Sequence, residues 1–152
     1  MQDRPQAPRW VWLVSGLLFL AVAVLLQRLA ALTDGWFAGL GAFAFMGMTF
    51  DMLMIFLAAF LAATPFFYWV GCGPEVRRRL TRAFVIAYGL WTAFSFLLVA
   101  NMLQFAPVVL GLAGFALAEA ALGAVLIFLA VFLSARLFER VLHRRDEAAA
   151  IS

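Results

Sequence analysis

Four polar side chains stand inside otherwise apolar stretches of this sequence: Arg28, Asp51, Asn101 and Glu119. Brought together, two carboxylates, a guanidinium and a carboxamide make an ion pair with a spare acid. Glu119 is the most informative, because every other residue from Phe115 to Phe128 is apolar or small. A lone charge in hydrocarbon costs ~2.5–3.5 kcal/mol on insertion scales, so such residues face inward and pair. Arg28 neutralises one carboxylate, and in a dry site the other acid is protonated or solvated. Three roles are open to this layer. Arg28 snorkels while the acids meet interfacial water, or the group is a structural ion-pair knot, or it is a site for a headgroup, ion or proton.

The elements that must position these residues follow from composition. Of 152 residues, 67% are hydrophobic and 12% charged, against roughly 45–50% and about 25% in soluble domains. So little charge cannot clothe a soluble particle, and disorder is excluded by the same figures. The chain reads as an all-α polytopic membrane protein with four spans, at about 10–32, 49–71, 83–105 and 108–137. Each is close to the ~20 residues that cross a bilayer. The first run is long for a signal peptide and ends in Gln27-Arg28, so it is expected to be an uncleaved helix. Glycines at 35, 39, 41 and 47 crowd the stretch before the second span, and an interfacial or re-entrant segment is expected over 36–47. Pro65 predicts a kink in the second span, and Gly71-Cys72-Gly73-Pro74 its end. Residues 138–152 are a cytoplasmic tail, and the whole is one membrane domain.

Orientation follows from arginine. All eleven basic residues besides the single histidine are Arg. Arg4 and Arg9 precede the first span, and Arg77, Arg78, Arg79 and Arg82 form a basic rim between spans two and three. Arg136, Arg140, Arg144 and Arg145 close the fourth. Four spans place these ten on one face, which the positive-inside rule makes cytoplasmic, with both termini. The pI near 10.0 therefore reflects anionic lipid headgroups as partners, and no nucleic acid. Trp10, Trp12 and Trp69 fall at the inner interface and Trp36 at the outer. Lysine-free, Ala- and Leu-rich usage points to a bacterial inner membrane.

Depth can then be counted. Arg28 is 18 residues past Trp10, Asp51 18 before Trp69, Asn101 19 past Arg82 and Glu119 17 before Arg136. At 1.5 Å per residue all four lie ~26–28 Å from the inner anchors, one from each span. Gln27 and Gln104 are near the same level. The prediction is that the four meet on inward faces near the outer surface, Arg28 touching at least one carboxylate.

Other chemistry finds few residues. His143, the lone histidine, lies in the tail without a ligand partner, so metal, haem and Ser-His-Asp sites are not expected. Cys72 is a single cysteine, read as a small buried hydrophobe. Met46, Met48, Met52 and Met54 read as flexible packing. Ala113, Ala116, Ala120, Gly123 and Ala124 make a smooth face on the fourth span, suited to close packing within the protein or to a protein partner or second copy. No catalytic residue, cofactor or metal site is assigned.

Gly47-Met48-Thr49-Phe50-Asp51 opens a span after an apolar hairpin, and Gln27-Arg28-Leu29 ends the span before it. Over about residues 10–105 this pattern resembles the membrane-embedded N-terminal region of lipoteichoic-acid-synthase-like proteins, the sulfatase-type phosphoglycerol transferases. The resemblance implies a membrane module of such an enzyme. That family's Thr nucleophile and its metal-binding acids and histidines match no residue here, so the resemblance implies the module without its enzyme domain. Three functions are expected: a non-catalytic accessory, scaffold or partner-binding module; a small transporter or headgroup-binding carrier using the outer polar layer; or that enzyme's membrane part.

Overall fold

A computed structural model describes residues 9–37, 43–103 and 106–151. Side chains are described for 10–29, 52–103 and 107–141. The protein is all-α, and among the described residues there is no strand. Its helices are α1 (Arg9–Phe37), α2 (Phe43–Val70), α3 (Pro74–Met102) and α4 (Ala106–Ile151). All four contain stretches long and apolar enough to cross a membrane. α1, α2 and α3, of 28 or 29 residues, are each ~42–44 Å long, which exceeds a ~30 Å hydrocarbon core. α4, with 46 residues, is ~69 Å long. Helix therefore continues through the tail expected from residue 138, as far as Ile151.

The boundary of α2 differs from the sequence expectation. Residues 43–47, assigned to an interfacial segment, belong to the same continuous helix as the second span. Nothing between Phe43 and Asp51 is strong enough to stop it. One interior glycine, Gly47, costs only about 1 kcal/mol relative to alanine. Of the remaining segment, Trp36 and Phe37 end α1, and residues 38–42 lie outside the described residues. α2 also runs on through Pro65. Immediately before the ring, the Thr64 hydroxyl donates to the Phe60 carbonyl one turn back, at 2.9 Å. Gly71 ends α2 with φ 89°, a left-handed cap that glycine adopts without a Cβ clash, and its N–H donates to Phe67 O at 3.1 Å. Pro74 then opens α3, where its missing N–H costs nothing.

The helices form an up-and-down bundle in which the packed pairs α1/α3 and α2/α4 run parallel. α1 packs on α2 and α3, and α4 packs on the same two; α2 and α3 touch only slightly across the diagonal. Small residues make the first set of contacts close. Ala58, Ala59, Ala62 and Ala63 of α2 are all buried, as are Ala130 and Ala135 of α4. Two Ala-xxx-Ala pairs on one helix are the membrane solution for bringing backbones together. Across α1 and α3 the rings of Phe19 and Phe84, both fully buried, stack at 4.9 Å. Gly16 of α1 faces α3, where a Cβ would make an ordinary contact 3.5 Å from the Ala83 carbonyl. Gly123 is the glycine that lets α4 approach α3, because Tyr88 fills the space of its missing side chain. Thr64 and Ser134 meet at 3.5 Å between α2 and α4.

The outside is apolar. Leu13, Leu90, Leu110, Leu117 and Trp69 are each more than half exposed. Apolar surface this continuous marks an interaction with something other than water, and lipid is the solvent that fits four such helices.

Candidate functional site

The polar site is built at the end of the bundle where α1 and α3 finish. Gln27 of α1, Ile55 of α2, Tyr88, Thr92 and Ser95 of α3 and Glu119 of α4 line a cleft of about 200 Å3, completed by apolar residues of α3 and α4. Hydroxyls at 88, 92 and 95 share one face of α3 because three- and four-residue steps return to the same side of a helix. Thr92 is turned back on its own helix, donating to the Tyr88 carbonyl at 3.0 Å. Glu119 is half-buried, and the Tyr88 hydroxyl donates to its carboxylate at 3.5 Å. That is a long contact, at the weak limit of a hydrogen bond. Ala116, a turn before Glu119, leaves the room that makes this a cleft.

Of the four residues predicted to meet, the structure places Glu119 in this cleft and not Arg28 or Asn101, whose side chains are exposed. Arg28 and Glu119 do not form an ion pair; among the described residues the pair present is Arg79 with Glu75. The reason is angular. Successive residues of a helix point 100° apart, and here Gln27 lines the cleft while Arg28 is exposed. Counting residues gives depth along a helix but not direction around it. The side chain of Asp51 lies outside the described residues, and so does any pairing it makes with Arg28. Gln27 and the Tyr88, Thr92 and Ser95 hydroxyls are what the depth count did not select. The spacing 88-92-95 was the available signal, since it places three hydroxyls on one face of an otherwise apolar helix.

The basic rim divides between two faces of α3. Arg79 pairs with Glu75 one turn earlier and lies over the Trp12 ring of α1, 5.5 Å from its centroid. Arg77, Arg78 and Arg82 border a separate groove between α3 and α4. Cys72, in the loop between α2 and α3, is partly exposed and free. Its thiol is pushed above the ordinary cysteine range by burial first and the Glu139 carboxylate second, with Arg77 acting in the opposite sense. Among the described residues no three His, Cys, Asp or Glu lie close enough to hold a metal ion.

The smooth face predicted on the fourth span is largely used inside the bundle. Gly123 is buried under Tyr88 and Ala116 lines the cleft. A different set of small residues faces out: Gly111, Gly114, Ala118 and Ala121 are all exposed. A Cβ at Gly111 or Gly114 would meet nothing within 4 Å. Leu110 and Leu117 stand prominently beside this shallow stripe.

Compared with known proteins, the chain matches no family, no curated protein and no solved structure.

Proposed function

We propose that this protein is a non-catalytic module of a bacterial inner membrane that binds a partner helix, with its Arg-rich end and both termini in the cytoplasm. The observation that carries this reading is the outward stripe of Gly111, Gly114, Ala118 and Ala121 on α4. A surface that only meets lipid gains nothing from being small, whereas a second helix gains close backbone approach. The arginine distribution supports the orientation. Filling the stripe with Gly114→Leu and Ala118→Leu is expected to leave the fold intact and abolish association. Light scattering and mass spectrometry of protein extracted in mild detergent read this out. A wild-type chain that is purely monomeric and carries no other protein, or a variant with unchanged association, contradicts the reading.

The Glu119 cleft favours a second reading, a small transporter or headgroup-binding carrier. A half-buried acid beside hydroxyls is a common element of ion and proton paths. This reading requires flux in proteoliposomes that falls on Glu119→Gln combined with Asp51→Asn. Flux that is absent, or indifferent to both changes, removes it. The resemblance to the membrane part of a phosphoglycerol transferase is compatible with either reading.

A further inference from the structure

At the opposite end of the bundle from Glu119, α3 and α4 part to leave a groove of about 350 Å3, lined by Pro74, Arg77, Arg78, Thr81, Arg82, Phe128, Val131 and Phe132. Its two walls differ in chemistry. The α3 wall is contributed by Pro74, Thr81 and three arginines, while the α4 wall has two aromatic rings, Phe128 and Phe132, stacked at 6.4 Å. Val131, which is buried, forms the floor. A fourth guanidinium, from Arg136, lies over the Phe132 ring 5.2 Å from its centroid and extends the basic edge onto α4.

Glu75 is taken by Arg79, and among the described residues Arg77, Arg78 and Arg82 have no acidic partner. The Thr81 hydroxyl donates to the Arg77 carbonyl at 2.9 Å, which leaves its lone pairs free to accept but not to bind an anion. Three cations with no acidic partner among the described residues, beside an apolar wall at the end of a membrane span, complement an amphiphile with a negative head.

We propose that this groove is a binding site for one anionic glycerophospholipid, with its phosphodiester held by Arg77, Arg78 and Arg82 and an acyl chain lying along Phe128 and Phe132. Guanidinium forks suit phosphate oxygens in pairs, and a basic pocket between membrane helices on the cytoplasmic side is where such headgroups are held. The proposal is independent of the partner-binding stripe, which lies on another part of α4.

The test is native mass spectrometry of the full chain in detergent, titrated with phosphatidylglycerol or with phosphatidylcholine of the same acyl chains. Wild-type protein is expected to retain phosphatidylglycerol about tenfold better, the worth of one charge-assisted contact. Arg77→Gln, Arg78→Gln and Arg82→Gln together should remove that preference. Arg140→Gln, Arg144→Gln and Arg145→Gln, which delete the same charge beyond the groove, should keep it. Equal retention of the two lipids by the wild type overturns the proposal, without reference to any variant's folding. So does equal loss in the two triple variants, which would mean bulk charge alone. Displacement of phosphatidylglycerol by an equal concentration of glycerol 3-phosphate also overturns it, since the apolar wall would then contribute nothing.

Discussion

A single residue step separates the side chain that enters the polar cleft from the one that was expected there. Gln27 lines the cleft and Arg28 does not. Axial depth is legible in sequence because the helix rise is constant, whereas azimuth depends on which face neighbouring helices cover. Glu119 was identifiable because a carboxylate amid thirteen apolar or small residues, from Phe115 to Phe128, must find a donor or water, and it has the Tyr88 hydroxyl. Tyr88 itself could not be chosen over other aromatics without knowing that Gly123 faces it. Cys72, outside the spans, offers a direct measurement at this scale. Burial and Glu139 hold its thiol up, so less thiolate exists at neutral pH than for a free cysteine, and alkylation is slow. Glu139→Gln removes a negative charge, lowers the thiol pKa and should speed maleimide labelling between pH 7 and 8. Arg77→Gln should slow it. Labelling rates that do not move in opposite directions contradict this environment for Cys72.

Helices were legible as elements, but their ends and their mates were not. Apolar length alone predicts four spans, and four helices are present among the described residues. α2 begins at Phe43, ahead of the apolar stretch Met52–Val70 that is long enough to span, because no true helix stop lies between them. The buried alanines of α2, at 58, 59, 62 and 63, are a plain Ala-xxx-Ala signal. The corresponding stripe on the fourth span has two faces, one used against α3 and one turned out. Substitutions separate them. Gly123→Ala drives a Cβ into the buried Tyr88 ring. Overpacking of this kind is expected to cost about 1–3 kcal/mol in a denaturant titration in micelles. In the Tyr88→Ala background the same change should cost distinctly less, because the two side chains occupy one space. Gly114→Ala, with nothing within 4 Å, should shift stability by less than about 0.5 kcal/mol. Equal losses at 114 and 123 would mean that α4 is rotated from the orientation described.

At the scale of the whole molecule, composition determined most of what could be read. Low charge, long apolar helices and arginines gathered at the ends of alternate spans leave a bundle in lipid as the consistent arrangement. The order around the bundle, with α2 and α3 diagonal despite their three-residue connection, was not legible. A short loop fixes only that the joined ends are near; side-chain size then decides which helices lie flush. The central claim is a four-span bundle whose Arg-rich end is cytoplasmic. It is tested most directly by cysteine accessibility in a Cys72→Ser background. Single cysteines are placed at Leu103, between α3 and α4, at Val141 on the basic end of α4, and at Gln6. Intact spheroplasts are then treated with a membrane-impermeant maleimide. Leu103→Cys should be labelled from outside, and Val141→Cys and Gln6→Cys only after permeabilisation. Labelling of Val141→Cys in intact spheroplasts, or of Gln6→Cys and Val141→Cys from opposite sides, would contradict the account.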